Sequence, residues 1–188
     1  MRDAALQLFV EKGFKDVTMS HICNRTGLSR GGVYGHYAGT GQIFADIIQE
    51  IMGDLESGVE EKMQSGFSAT RILDQLLARY QGEMLDHGGS LGLAFYEYYS
   101  ALPPSADNAL LSQYHASRAI LRRLIQYGIR RGEFESVPVN AVVDLLLFSY
   151  QGVQMLKPIM RLDEEEIPKG MIGQIRSMLV KQTREAAR

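Results

Sequence analysis

The ten residues LSRGGVYGHY, 28–37, carry the densest information about the architecture of this chain. They are typical of one short helix with two adjacent glycines, Gly31 and Gly32, near its start. Each glycine costs a helix interior about 0.5–1 kcal/mol relative to alanine, and short isolated helices are already marginal in water. A helix that keeps both glycines therefore predicts a backbone lying against something that leaves no room for a side chain.

The residues before this stretch indicate two more short helices. AALQLFVEKG has helical apolar spacing and ends at Gly13, a residue type common at helix C-termini. Thr18 can cap a second helix that runs through Arg25, and Ser29 can cap the third after the tight turn TGL. This pattern matches the helix-turn-helix arrangement, in which the second helix of the pair lies in the DNA major groove.

The remainder of the chain is also helical in its periodicity. A long amphipathic helix starts near Gln42, and a helix that is apolar nearly all round follows Pro138. No segment has a convincing strand pattern. We predict an all-α fold of about nine helices, with a three-helix head over residues 1–45 and a helical body over residues 46–188.

Composition excludes several classes of protein. A chain of 188 residues with 45% hydrophobic and 22% charged residues is ordinary for a soluble globular protein. The single cysteine, Cys23, excludes an intramolecular disulfide framework and a cysteine-rich zinc site, which fits a reducing cytoplasm. MRDAALQLF at the start lacks the apolar core of a signal peptide, so we expect a cytoplasmic protein. The apolar run 142–156 contains Asp144 and is short for a bilayer span, which predicts a buried helix and no membrane contact.

Charge is distributed unevenly along the chain. The formal net charge is −2 for 20 basic and 22 acidic residues. Residues 1–45 hold five basic and three acidic residues, or +2, which leaves 15 basic and 19 acidic residues, or −4, in the remainder. A mildly basic head on an acidic body permits a nucleic-acid contact through the head.

Three linked motifs make the pattern more specific. The first helix reads AA-x-x-LF and is followed by GF, the second reads T-x-x-x-I, and GLSRGGVYGHY spans the turn and the third helix. Together they resemble the DNA-binding head of the TetR family of transcriptional regulators, over about the first quarter of the chain. The resemblance implies a DNA-binding regulator with a variable helical body for ligand binding and dimerisation.

The resemblance also implies roles for individual residues of the head. Arg30 would donate to guanine O6 and N7, and Gly31 beside it would allow close approach of the helix backbone. Gly32 also belongs to the DNA-contacting segment, but its position often carries a small side chain in the family. The alternative for Arg30 is a solvated surface arginine. The other DNA-contacting positions implied by the family are Thr18 and Ser20 on the second helix, and Ser29, Tyr34 and His36 at phosphates.

Two of these positions have alternatives in local structure. Tyr34 could be a core aromatic, but Val33 and Tyr37 already supply the inward face of the helix. His36 could be an ordinary surface residue. The fourth helix departs from the family, which commonly has a lysine near its start, whereas this chain has Thr40 in AGTGQ. A hydroxyl donates without charge, so we expect weaker non-specific DNA binding.

No catalytic or metal-binding constellation is evident. GGSLG, 88–92, satisfies G-x-S-x-G, but a helical segment precedes Ser90 where a nucleophile elbow needs a strand. No H-E-x-x-H occurs, the four histidines are dispersed, and the acidic run 163–166 is better explained as a helix start. We therefore predict neither an enzyme, nor a metal site, nor a cofactor.

An aromatic segment suggests a ligand pocket among the fifth to eighth helices. Aromatic side chains with a few polar tips are the usual lining of a small-molecule site, although helical aromatics are more often core. The predicted ligand-binding residues are Tyr80, Met84, Phe95, Tyr96, Tyr99, Tyr127, Phe148, Gln151 and Met155.

Taken together, these features predict a homodimeric regulator, usually a repressor in this family. Two heads would bind a pseudo-palindromic operator in double-stranded DNA, and an unknown small-molecule effector in the body would release it. The last two helices, with Ile175 and Leu179, would form the dimer seam. The alternatives are a helical enzyme with an accessory head and a protein-binding adaptor, which a gel shift on genomic fragments would distinguish.

Overall fold

The computed structural model describes residues 1–85, 91–102, 109–160 and 165–181. This part of the chain forms nine α-helices, as the sequence predicts: α1 (Arg2–Lys12), α2 (Met19–Thr26), α3 (Arg30–Tyr34), α4 (Thr40–Gln64), α5 (Ala69–Leu85), α6 (Leu91–Ala101), α7 (Ala109–Arg130), α8 (Val139–Met160) and α9 (Glu166–Leu179). Ser90 of GGSLG and residues 163 and 164 of the acidic run lie outside the described residues.

The short helices of the head begin and end at the residues that their local chemistry predicts. Thr18 caps α2 by accepting a hydrogen bond from the His21 N–H, and the His21 side chain accepts one from the Thr18 N–H. The Ser29 hydroxyl caps α3 by accepting from the Gly32 N–H. Gly13 follows α1 with a φ of 78°, a conformation that favours glycine.

A first hydrophobic cluster, the head cluster, holds the three short helices on the start of α4. It comprises Ala5, Leu8, Phe9, Val17, Met19, Ile22, Cys23, Val33, Ile43, Phe44, Ile47, Ile48 and Ala94. Cys23 is a small buried core residue, as predicted. The last three members of the cluster lie beyond residue 45, and α4 runs through that position without a break. Head and body therefore share α4.

Helix α6 packs directly on the head. The Glu97 carboxylate accepts a hydrogen bond from the Lys15 N–H at 3.0 Å, in the turn between α1 and α2. The neighbouring Tyr98 ring lies with its centroid 5.0 Å from that of Phe14 and 5.0 Å from that of Phe44. The α1–α2 turn is thus fixed by a helix of the body as well as by its own sequence.

A second cluster, the body cluster, joins α5, α7, α8 and α9 with Val59 of α4 and Phe134. Phe134 follows α7 and is 1% exposed. Its ring lies directly on Gly128, where an added Cβ would come within 2.2 Å of a ring carbon. Gly128 therefore makes room for the largest side chain of this turn.

Glu133 ties the end of α7 to the start of α5. Its carboxylate accepts hydrogen bonds from the Ser68 hydroxyl at 2.7 Å and the Thr70 N–H at 2.9 Å, and pairs with Arg131 Nε at 2.6 Å. Burial by itself would raise the pKa of Glu133, but these hydrogen bonds outweigh it and lower the pKa to about 2. The helix start is thus held by an ionised carboxylate.

Helix α8 is buried on one face only, which corrects the prediction of a buried helix. Val143 and Leu146 face the body cluster, whereas Phe148 is 67% exposed. By length and composition the segment 139–156 could cross a bilayer, and 28% of it is buried. The outer face of a helix that is apolar all round is expected to be covered by another surface, and the sequence of the helix does not identify that surface.

The two α9 residues predicted to form the dimer seam also lie elsewhere. Ile175 is 3% exposed and Leu179 is fully buried, both within the body cluster of their own chain. The reason is that α9 packs against α5 and α8, so its most apolar face is used inside the protomer. The prediction that Ile175 and Leu179 are available to a partner chain is therefore wrong.

Candidate nucleic-acid interface and ligand cavity

The helix-turn-helix consists of α2, the turn at Gly27, and α3. Gly27 has a φ of 70°, in the left-handed region, and this conformation reverses the chain between the two helices. Across the turn, Arg30 Nη2 donates a hydrogen bond to Ser20 Oγ at 3.1 Å. Two residues predicted from sequence to contact DNA thus lie side by side, one on each helix of the motif.

All nine residues predicted to contact DNA keep solvent access. Ser20 and Thr40 are half-buried, and the others are exposed: Thr18, Ser29, Arg30, Gly31, Gly32, Tyr34 and His36. Tyr34 is 53% exposed while Val33 is fully buried, which excludes the core alternative for Tyr34. An exposed tyrosine on a five-residue helix stabilises no core, so its hydroxyl is available to a partner.

The capping hydroxyls are compatible with a second role. Thr18 Oγ1 and Ser29 Oγ each accept a backbone hydrogen bond with a lone pair of the oxygen. A hydroxyl also carries one hydrogen to donate, and these caps do not use it. The same side chain can therefore hold a helix start and donate to a phosphate oxygen.

The two glycines of α3 differ in their surroundings. A Cβ on Gly31 would have no heavy atom within 4 Å, because this position faces open space. A Cβ on Gly32 would lie 3.3 Å from Ser29 Oγ, the atom that caps the helix. Of the two glycines, only Gly31 faces open space. At Gly32 the absence of a side chain leaves room for the Ser29 hydroxyl that caps the helix.

Helix α4 begins at Thr40 without a side-chain cap. The N-cap residue is Gly39, and the nearby Gln42 side chain accepts from the Ala38 N–H. The first N–H groups of an uncapped helix attract anions through both their hydrogens and the helix dipole. The start of α4 thus offers hydrogen-bond donors where the family commonly places a lysine.

Part of the positive charge of the head is already paired. Arg25 forms a bidentate pair with Glu11, with nitrogen–oxygen distances of 3.1 and 2.7 Å, and Arg2 pairs with Glu50 at 3.1 Å. Both pairs are exposed. Two of the five basic residues of the head therefore contribute little to its positive electrostatic potential. Arg30 accounts for a larger share of the charge that the head can offer to DNA.

A cavity of about 630 Å³ lies in the body between α4 and α7. Its apolar lining includes Met52, Leu55, Val59, Leu76, Leu121 and Leu124. Its polar lining includes Gln49, Glu56, Tyr80, Tyr99, Gln113 and Ser117. The volume and the mixture of apolar walls with a few polar groups are those of a small-molecule site.

Two tyrosines from the predicted ligand-binding set line this cavity. Burial raises the pKa of Tyr80 and of Tyr99 to about 12 in each case, so both hydroxyls keep their proton at neutral pH. The Tyr99 hydroxyl donates to Gln113 Oε1 at 3.0 Å, joining α6 to α7. Both residues therefore present hydrogen-bonding groups at the cavity.

The other seven predicted residues do not line it. Met84 is buried in the body cluster, and Phe95 packs against the head cluster. The Tyr127 hydroxyl donates to the Phe67 carbonyl at the far end of α7. The remaining four are Tyr96, which is exposed on α6, and Phe148, Gln151 and Met155 on α8, of which only Gln151 is half-buried.

The predicted position of the cavity, among the fifth to eighth helices, is corrected by the packing. Helix α7 packs against α4 with one face and against α8 with another, so the space beside it is closed by α4. Small residues of both helices line this space: Gly53 on α4, and Ser112, Ala116 and Ser117 on α7. Their helical spacing is the signal in the sequence, and the positions of the aromatic residues do not carry it.

The comparisons with known proteins agree with this architecture. The family described as "Bacterial regulatory proteins, tetR family" matches residues 2–47. The uncharacterised HTH-type transcriptional regulator YfiR of Bacillus subtilis is 28% identical over 172 residues, which cover 87% of this chain and 80% of that protein.

Two solved structures extend the likeness to the whole fold. The regulatory protein TetR from Rhodobacter sphaeroides superposes with a TM-score of 0.74 at 16% identity, covering 95% of this chain and 96% of that one. FadR from Bacillus subtilis, solved in complex with stearoyl-CoA, gives a TM-score of 0.69 at 18% identity, covering 94% of this chain and 96% of that one. The family match over the helix-turn-helix and the shared fold lead to one conclusion: residues 2–47 form a DNA-binding head of the kind found in the tetR family of bacterial regulatory proteins, and the chain as a whole has the fold of such regulators.

Proposed function

We propose that this protein is a homodimeric repressor that binds a pseudo-palindromic operator and leaves it when a small molecule occupies the cavity. The observation that carries the proposal is the pairing of an exposed Arg30 with Ser20 across the helix-turn-helix. An arginine on the outward side of a recognition helix has the donors for a bidentate contact with guanine. The exposed Gly31 beside it lets the helix backbone approach the bases.

The exposed face of α8 supports dimerisation. Its outward apolar residues recur at helical spacing and form a stripe along the helix: Leu145, Phe148, Met155, Leu156 and Met160. On α9 the exposed apolar residues are Ile167 and Met178. A row of exposed apolar residues along one helix is typical of an interface, and a two-fold axis would bring the same stripe of a second chain onto it.

Dimerisation supplies the geometry that operator binding needs. Two recognition helices read half-sites one helical turn apart when they are separated by about 34–36 Å. The first part of α4 belongs to the head cluster, and the middle of the same helix lines the cavity. A ligand that favours another position of α4 would therefore change the distance between the two recognition helices. A ligand that binds more tightly to the form with the altered separation increases the population of that form, and the protein then leaves the DNA.

The relatives are consistent with a ligand in the body. FadR was solved with stearoyl-CoA, and a SmeT structure was solved as a complex with triclosan. KstR2 of Rhodococcus jostii, described as a transcriptional repressor, is 23% identical to this chain over 135 residues. We propose the same general behaviour here, in the cytoplasm, where a transcriptional regulator meets its DNA.

A selection of genomic fragments by the purified protein tests this proposal. We expect recovery of one or a few fragments that contain an inverted repeat, and a footprint of two half-sites about one helical turn apart. The matched control is Arg30→Ala, which should recover no preferred fragment while keeping the helicity of the wild type. Selection of no fragment by the wild-type protein, or a footprint over a single half-site, would overturn the dimeric operator-binding function.

A further inference from the structure

The cavity is built for a largely apolar molecule. Seven large aliphatic or thioether side chains line it, Ile120 together with the six named above, and α4, α5 and α7 all contribute to them. A volume of about 630 Å³ accommodates a ligand with several rings. Apolar contact therefore supplies most of the available binding energy, and the polar lining determines which charge a ligand can carry.

The cavity offers no positive charge to a ligand. Among the described residues that line it, none is lysine, arginine or histidine. Glutamines, serines and tyrosines supply the neutral hydrogen-bonding groups, for example Gln49, Gln113 and Ser117. A carboxylate or phosphate moved into this space would lose its water without gaining a counter-ion, which disfavours its binding.

The charge at the wall is instead negative. Glu56 lines the cavity and pairs with Arg123, whose Nη2 lies 2.8 Å from Glu56 Oε1. The same guanidinium serves a second carboxylate, since Arg123 Nε lies 3.2 Å from Glu60 Oε2. One arginine thus stands against two glutamates, Glu56 at the cavity wall and Glu60 one turn further along α4, which leaves one negative charge unbalanced beside the cavity; the three side chains are 38–47% exposed.

The hydrogen bonding of Glu60 is also incomplete. Its Oε2 atom is buried, and no group in the described part of the chain donates a hydrogen bond to it, because Arg123 Nε is near but not aligned. A buried carboxylate oxygen without a donor favours a nearby positive charge.

We propose that the effector is a largely apolar molecule with a positive charge, bound with its cationic end toward Glu56 and its apolar part against the α4–α7 wall. This inference rests on the proposed function, in which the cavity is the effector site. It excludes carboxylates, phosphates and other anions as effectors of this chain.

Two probes of nearly the same shape and opposite charge test the proposal. Tetraphenylphosphonium and tetraphenylborate present the same four phenyl rings, and neutral triphenylphosphine oxide serves as a third probe. Calorimetric titration of the wild-type dimer should give tetraphenylphosphonium an affinity at least about tenfold above that of tetraphenylborate, with the neutral oxide between them. Equal affinity, a preference for the anion, or no binding of the cation would overturn the proposal.

Two variants locate the preference. Glu56→Gln keeps the size of the side chain and should weaken tetraphenylphosphonium binding about tenfold while leaving the neutral probe within about twofold. Gln113→Lys places a positive charge in the same cavity and should reverse the order of the cation and the anion. Unchanged cation affinity in Glu56→Gln would show that this wall does not set the charge preference.

Operator release is measured separately from binding. One outcome is that tetraphenylphosphonium binds with the expected preference and yet leaves the protein on operator DNA. That result would support the proposed charge preference of the cavity and contradict the proposal that its ligand releases the operator. If operator DNA is never bound by the wild-type protein while the cation preference is found, only the proposed regulatory function fails. The two failures are thus distinguishable.

Discussion

The guanidinium of Arg30 and the hydroxyl of Ser20 form a hydrogen bond of 3.1 Å that joins the two helices of the helix-turn-helix. It holds a long, exposed side chain in one orientation before DNA is present. Ordering a side chain in advance reduces the entropy lost on binding. The pair therefore links the local structure of the motif to the strength with which Arg30 can read a base.

Arg30→Ala should remove preference for the operator while the dimer and its helicity remain. A bidentate arginine–guanine contact contributes about 1–3 kcal/mol of discrimination, or about 5–150-fold in affinity for each head. A competition assay between operator and unrelated DNA measures this. Ser20→Ala is the contrasting variant and should cost less, because it removes the orienting partner and one predicted hydroxyl contact but leaves the guanidinium in place. Undiminished discrimination by the alanine variant at position 30 would assign base reading to another residue.

Gly31→Val should leave the thermal midpoint close to that of the wild type but weaken operator binding at least about tenfold. The new side chain meets no protein atom, so the cost falls on the complex, where it would hold the helix away from the bases. Melting curves and titrations with operator DNA measure the two effects separately.

Gly32→Ala provides the contrast within the same helix. Alanine gains up to about 1 kcal/mol in helix propensity, but its Cβ would press on Ser29 Oγ and weaken the cap, so we expect a net change in stability near zero. Operator affinity should be nearly kept. If the valine variant at position 31 binds the operator as tightly as the wild type, the close-approach explanation of the glycine pair fails.

Thr40→Lys should strengthen binding to all DNA sequences by a similar factor. The start of α4 lacks a side-chain cap and the lysine common in the family, so an added ammonium group would supply one further phosphate contact. Affinities measured over a series of salt concentrations should show a slope steeper by about one unit. Thr40→Gln, which lengthens the side chain without charge, should leave the slope unchanged. A lysine variant with the wild-type slope would place Thr40 away from any phosphate.

Phe148→Glu should give folded monomers that no longer bind the operator. Phe148 is 67% exposed, more than any other large apolar side chain described on α8, so the carboxylate would be solvated in the monomer and buried only in the dimer. Sedimentation velocity distinguishes the two states. Ile175→Glu is the contrasting variant and should unfold the body, because Ile175 lies in the core. An intact dimer of the Phe148→Glu protein would mean that the seam avoids this stripe.

Glu133 should make the free energy of unfolding fall as the solution becomes acidic. Its pKa is lowered to about 2 in the folded protein from the ordinary value of 4.5, so the ionised form favours folding. This contribution is complete above about pH 4.5 and is lost as the pH falls from there toward 2. Urea unfolding at a series of pH values should show a smaller acid loss for Glu133→Gln than for the wild type. At neutral pH the same variant should cost about 1–3 kcal/mol. Parallel pH profiles for the two proteins would exclude this role.

Local features of the head were predictable because they depend on a few adjacent residues. A threonine or serine before a helix accepts the hydrogen bonds of its first turn in any tertiary context, and Thr18 and Ser29 do so here. Glycine at a position of positive φ is similarly local, as at Gly27, where an added Cβ would meet no other atom within 4 Å. The motif, the helix count and the exposed side of α3 followed from such signals.

Packing between distant segments was not predictable in the same way. Glu97 holds the α1–α2 turn from 82 residues away in the sequence. The cavity is lined by α4 and α7, which face one another only after the body has folded. Of the nine residues predicted to bind a ligand, Tyr80 and Tyr99 line this cavity and the other seven lie elsewhere, because the sequence does not show which helix faces become opposed.

The sequence by itself determined the helices, their caps and the helix-turn-helix, because periodicity and capping act within a few residues of one another. Tertiary structure alone decided which apolar face of each helix is inside. Hydrophobic burial has no direction, so a helix that is apolar all round satisfies it equally against its own body or against a second chain. The neighbours of α8 and α9 resolve this choice: they cover Ile175 and Leu179 and leave Phe148 to the solvent.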